Sequence, residues 1–180
     1  MLEIIIPESE LFDNEKEEFI YVKEQHLSLE HSLLSLTKWE ARWKKPFLHT
    51  RDKTLEQALD YIRCMTINKN VDPIIYKNLS KDNVEKINKY IDDPMTATTF
   101  VSEDKRGSGE IVTSEIIYYW MVNYGIPFEC EKWHLNRLLT LIKVCSVKAQ
   151  SSNKKMSNAE KLARYKNINA MRKKSLNTRG

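Results

Sequence analysis

The feature that most restricts how this chain can fold is the stretch from Glu110 to Gln150, EIVTSEIIYYWMVNYGIPFECEKWHLNRLLTLIKVCSVKAQ, which carries the longest apolar periodic pattern in the sequence. It holds two of the four tryptophans and two of the three cysteines. Gly125 and Pro127 interrupt it, and glycine stops a helix where proline cannot continue one, so the stretch predicts a helical hairpin at the centre of the fold. The first helix starts from an N-cap at Thr113, has Glu115 in its first turn and runs through Ile116–Val122. Seven apolar residues in succession predict near-complete burial. On a wheel of the second helix, about Glu129 to Gln150, Leu135, Leu138, Leu139, Ile142 and Cys145 share one face. Leu141 and Cys130 border it, and Asn136, Thr140, Lys143 and Lys148 lie opposite. The seven-residue run is far short of the roughly 20 apolar residues that a membrane-spanning helix needs, so no membrane role is expected.

Four glycines and five prolines in 180 residues are too few for a fold made of tight turns, and they point to a mainly α architecture. The expected organisation is a small N-terminal β-hairpin or sheet over residues 1–36, a compact helical core domain over 37–150, and a basic linker and helical arm over 151–180. Within the first part, the Ile-rich segment before Pro7 reads as a strand, Glu8–Glu18 as acidic and turn-like around Asp13–Asn14, and Phe19–Val22 and Gln25–Glu30 as further strands. Thr37–Glu40 reads as a capping box that opens a short helix carrying Leu36, Trp39 and Trp43 on one side. Thr54–Gln57 is a second box, with Leu55, Leu59, Ile62 and Met65 behind it. Asp72–Pro73 and Ser80 open two more helices, the second with Val84, Ile87 and Ile91 inward. Pro94–Phe100 is extended by propensity, and Ser102–Gly109 reads as a loop projecting into solvent. A third box, Ser157–Glu160, follows the linker Ser151–Lys155 and opens the terminal helix, where Leu162, Tyr165, Ile168, Met171 and Leu176 are spaced among basic residues.

The net charge of +4 conceals a division. From Lys143 to Gly180 there are eleven Lys or Arg against the single Glu160, so the preceding residues are net acidic. A basic arm on an acidic body can be a solvated charged face, a dock for an acidic protein surface, or a sequence-blind neutraliser of phosphates. The candidate partner-binding residues are Lys154, Lys155, Arg164, Tyr165, Arg172, Lys173 and Lys174 on the arm. Trp39 and Trp43 join them as either core or rim aromatics of the domain or a platform for a partner.

The chain carries no glycine-rich phosphate loop, no nucleophile elbow and no metalloprotease histidine pair. Cys130 and His134, four residues apart, are half of a metal site at most, and Cys64, Cys145, His26, His31 and His49 have no partner at ligand spacing. The expectation is therefore a protein that is not an enzyme and takes no cofactor or metal. Three cysteines fit free thiols in a reducing compartment, and Met1–Pro7, short and carrying Glu3, does not read as a secretory leader.

Several strings are distinctive as strings: Leu29–Leu33 (LEHSL), Lys38–Glu40 with Lys45–Leu48, Asp60–Thr66 (DYIRCMT), Asp93–Phe100 (DPMTATTF), Ile111–Trp120 (IVTSEIIYYW) and Lys132–Leu138 (KWHLNRL). Through them, nearly the whole chain resembles a family of small proteins encoded among the structural genes of tailed bacteriophages that infect Gram-positive bacteria. The resemblance implies a role in virion morphogenesis, as a tail assembly chaperone above all. It implies partners among phage structural proteins (tail tube, tape measure or connector), oligomeric assembly, and a place in the host cytoplasm during assembly or in the virion. No catalytic residue comes with it. The alternatives are a structural virion component at the head-tail connector or baseplate, and an accessory protein that binds nucleic acid through its arm.

Overall fold

The computed structural model describes residues 1–13, 17–100, 110–153, 162–163, 165–168 and 171. The protein is mainly α with a β-ribbon at its start, and it divides into two units, residues 1–143 and 144–180.

The first unit opens with four strands: β1 (Leu2–Ile6), β2 (Ser9–Asp13), β3 (Glu18–Val22) and β4 (Gln25–Leu29). β1 pairs antiparallel with β4, from Leu2 opposite Leu29 to Ile6 opposite Gln25; β2 pairs antiparallel with β3, from Ser9 opposite Val22 to Asp13 opposite Glu18. One register runs through both pairs. The four strands therefore lie in one antiparallel frame, interrupted where Pro7, which has no N–H to give a ladder, falls opposite Glu24 in that register. The segment read as a turn from Glu8 onward is in its first half the strand β2. Glu10 and Phe12 put a charged and an apolar residue on the same face, and that blurs the period-two signal.

The interruption also changes which face is inward. In β1 and β4 the face of Ile4, Ile6, Leu27 and Leu29 is buried; beyond it, Val22 is buried while Phe12, Phe19 and Tyr21, on the continuation of the first face, are exposed. The outer edges of the inner half are closed by other segments. Ile67 N donates to Ser28 O at 2.9 Å and Glu30 N to Met65 O at 2.9 Å, while the amides of Asn83 and Asn78 donate to Ile5 O and Pro7 O.

The helices are α1 (Leu33–Trp43), α2 (Leu55–Met65), α3 (Lys81–Asp92), α4 (Ser114–Asn123) and α5 (Leu135–Asn153), with 3₁₀ turns at Pro73–Asn78 and Phe128–Lys132. α1 packs against α2, α4 and the second 3₁₀ turn, and Leu33, Leu36 and Trp39 on it are fully buried. The hub is thus α1 and not the expected hairpin. α4 buries Ile117 and Met121, four residues apart, while Tyr119 and Val122 are each 64% exposed. A helix that packs by one side shields about one residue per turn, whatever the apolarity of the rest.

Several boundaries differ from expectation. α1 is capped by Ser32, whose Oγ accepts from Ser35 N at 3.3 Å; Thr37 lies inside the helix and donates to Leu33 O. The 36/37 domain boundary therefore falls inside a helix, and ribbon and helices belong to one unit. The helix expected from Glu129 is a 3₁₀ turn, an extended Trp133, and then α5. The reason is tertiary: Leu135 N donates to His31 O at 2.7 Å, and Ser32 forms an antiparallel bridge with His134, so the chain is held extended there. At the far end, Ser151–Asn153, read as linker, continue α5. The capping box at Thr54, the N-cap at Ser80 and the Asp72–Pro73 start form as expected. The Ser102–Gly109 loop and the Ser157–Glu160 box lie outside the described residues.

In the second unit, residues 144–153 are the end of α5, and residues 162–163, 165–168 and 171 are helical. Leu162, Tyr165 and Met171 are 60%, 65% and 73% exposed.

Candidate interaction surface

The groups that could carry chemistry are tied into the scaffold. The Tyr61 hydroxyl and His31 Nδ1 share a 2.6 Å hydrogen bond, the His31 and His134 rings meet edge to face with centroids 5.1 Å apart, and His134 Nε2 lies 2.9 Å from Tyr90 O. A carbonyl only accepts, so Nε2 of His134 carries the proton. Nδ1 of His134 is buried and has no partner among the described residues. Tyr90 in turn donates to Glu30 at 2.7 Å, and Glu30 pairs with the amino group of Met1 at 3.0 Å. Burial, with a smaller push from His134, lowers the His31 pKa to about 3, and burial raises those of Tyr61 and Tyr90. This cluster pins β4, α2, α3 and the start of α5 to one another.

Among the described residues, no group of three or more His, Cys, Asp or Glu side chains is placed to hold a metal ion. Cys130 sits in the 3₁₀ turn and His134 in the extended link before α5, so the two are not on successive turns of one helix as expected. Burial pushes the Cys64 thiol up to about 11, away from the thiolate that nucleophilic or redox chemistry needs.

The tryptophans separate. Trp39 is fully buried, donates from Nε1 to Gln57 O at 2.9 Å, and meets Phe47 edge to face at 5.0 Å. It is a core residue with no surface to offer a partner. Trp43 is half-buried and donates to Asp60 at 2.9 Å, beside the Arg42–Asp60 ion pair. It lines a shallow cleft of about 270 Å³ with Arg63, Tyr76 and Lys77. Of the arm residues, Tyr165 is exposed on a helical segment, while Lys154, Lys155, Arg164, Arg172, Lys173 and Lys174 lie outside the described residues.

The outer half of the ribbon shows a surface that sequence reasoning missed. Phe12 and Phe19 face each other in register, their rings edge to face at 5.1 Å, and they are 51% and 72% exposed. Tyr21, 55% exposed, stands next along the same face opposite Glu10 and donates to Glu8 at 2.5 Å. Three aromatic side chains at roughly half exposure or more present on the order of 300 Å² of ring surface, the size range in which apolar patches are often functional. From Glu8 to Glu24 there are seven acidic residues against Lys16 and Lys23. The signal in the sequence was the near-mirror relation of SELFD and EFIYV on either side of residues 14–17.

No protein-family model, curated protein or solved structure matches the chain.

Proposed function

We propose that this chain is a non-enzymatic bacteriophage morphogenesis protein, a tail assembly chaperone that binds other phage structural proteins during assembly in the host cytoplasm. The phage assignment rests on the resemblance of the strings from Leu29 to Leu138. The observation that carries the binding role is the exposed Phe12–Phe19–Tyr21 face, because rings left in water on an acidic ribbon are a surface ready for a partner. The Lys and Arg residues after Lys143 give the sequence a second stretch, of opposite charge.

A chaperone binds its client transiently and leaves. The protein expressed beside the tail tube and tape-measure proteins is expected to co-purify with one of them and to be absent by mass spectrometry from finished particles. Presence in particles at a fixed copy number would make it a connector or baseplate component instead. Failure to capture any tail or connector protein would remove the assembly reading altogether. The nucleic-acid alternative predicts binding to duplex DNA that weakens steeply with salt.

A further inference from the structure

We infer that the cleft between the end of α1, α2 and the 3₁₀ turn at Pro73–Asn78 receives a segment of another protein that brings one aromatic or leucine-type side chain flanked by carboxylates. The cleft lies wholly within the first unit. At about 270 Å³ it is smaller than the roughly 300–1,000 Å³ of most small-molecule sites, and it suits one anchoring side chain. Trp43, Leu59 and Tyr76 give it an apolar lining, and the polar atoms of both rings are already engaged. Trp43 Nε1 donates to Asp60 at 2.9 Å and the Tyr76 hydroxyl donates to Thr66 Oγ1 at 2.9 Å, so each ring offers a guest only its carbon surface. Trp43 also rests on the buried Trp39, ring centroids 6.3 Å apart, which steadies it as a wall of the cleft.

The rim carries an excess of positive charge. Arg42 and Trp43 occupy the two carboxylate oxygens of Asp60, so that acid is answered within the chain. Arg63 and Lys77, both exposed, make no hydrogen bond or ion pair among the described residues. Against these two cations stands one unpaired acid, Glu56, two turns before Arg63 on α2. An apolar centre inside a charged rim is the usual anatomy of a protein interface, and the sign of the rim selects the partner.

Nucleic acid would set a run of phosphates beside Glu56, on a part of the chain that is net acidic. A short peptide segment needs only one or two carboxylates within reach of Arg63 and Lys77. The chain's own tail has the wrong charge, since the residues after Lys143 carry ten Lys or Arg against the single Glu160. Its own acidic ribbon is placed elsewhere: β3 borders a separate depression with Asp72 and Ile74. An acidic segment of a partner protein therefore matches the cleft in size, in apolarity and in charge.

An NMR titration of the isotope-labelled full chain, read at the indole N–H of Trp43 assigned through Trp43→Phe, tests this. The probe is a capped peptide with phenylalanine at its centre and glutamates on both sides. It is expected to shift that resonance and the amides around Arg63 and Lys77 with a dissociation constant of about 1 mM, the strength of one anchored side chain and exposed ion pairs. Arg63→Glu with Lys77→Glu, at exposed positions that leave the core untouched, is expected to weaken binding about tenfold, and Glu56→Gln to tighten it about threefold. The same peptide with alanine at its centre is expected to bind about tenfold more weakly. No shift at up to about 5 mM peptide, equal binding of a peptide with lysines in place of the glutamates, or unchanged affinity in the Arg63→Glu, Lys77→Glu variant would each overturn the proposal. A short oligothymidylate that moves the Trp43 resonance at lower concentration than the peptide would overturn it in favour of nucleic acid. Shifts of the same resonances on concentrating the protein alone would overturn it in favour of a second copy.

Discussion

Glu40 shows how one side chain organises several segments. It is buried on α1, and its two carboxylate oxygens accept from Phe47 N at 2.8 Å and Ser114 N at 2.8 Å, joining α1, the loop after it and the start of α4. Thr113, the N-cap residue of α4, makes no side-chain cap bond, so Glu40 supplies the acceptor at a helix end where negative charge is favoured. Glu40→Ala would strand two buried N–H groups and is expected to destabilise the protein by about 3–5 kcal/mol in denaturant unfolding. Glu40→Gln, which keeps one acceptor, should lose less. His31 gives a pH dependence of definite sign. Its folded pKa of about 3 is below the ordinary value of 6.5, so the unfolded chain takes up the proton more readily. Stability is therefore complete above about pH 6.5 and falls by up to about 1.4 kcal/mol per pH unit towards pH 3. In His31→Gln, which keeps an acceptor for Tyr61 and cannot protonate, melting temperatures measured between pH 7 and 4 should show a flatter decline.

Elements form where local chemistry suffices, and the end of α4 is the clearest case. Ile126 N donates to Met121 O at 2.8 Å, Gly125 N donates to Val122 O at 3.2 Å, and Gly125 takes a φ of 64°. This is a Schellman stop, with Ile126 and Met121 both buried beside it. A Cβ at Gly125 would meet no atom within 4 Å, so Gly125→Ala carries only the left-handed backbone penalty, about 1 kcal/mol, and Gly125→Asn less. Thermal melts of the two variants check the order; equal and large losses would mean that space and not conformation is limiting there. The same end was legible in the sequence through Gly125 and Pro127, as were the caps at Thr54 and Ser80. α1 was misread by five residues because Thr37–Glu40 imitates a capping box, whereas the Ser32 cap is fixed by the non-local bridge to His134.

At the level of the whole molecule, charge and burial divide the chain differently. The core is drawn from Ile4 to Ile142, and the basic surplus from the residues after it. A chain ending at Asn153 keeps the core and changes its net charge from +4 to −4, since nine Lys or Arg and Glu160 are removed. It is expected to unfold within about 1 kcal/mol of the full protein, because it keeps every described core residue and exposed residues such as Leu162, Tyr165 and Met171 contribute little, and to bind an anion exchanger at pH 7 where the full chain binds a cation exchanger. A loss of several kcal/mol would show that the second unit stabilises the first.

By itself the sequence determined the predominance of helix, the stops and most of the caps, and the opposed charges of body and tail, because propensity, proline and glycine geometry, and net charge act over a few residues. The tertiary structure decided that α1 is the hub, that Trp39 is sealed inside it, and that Phe12, Phe19 and Tyr21 stand in water. Those outcomes depend on which face of each element meets another. Along the ribbon that face changes at the Pro7–Glu24 interruption, and a pattern of apolar residues read along the strand cannot say on which side the body lies.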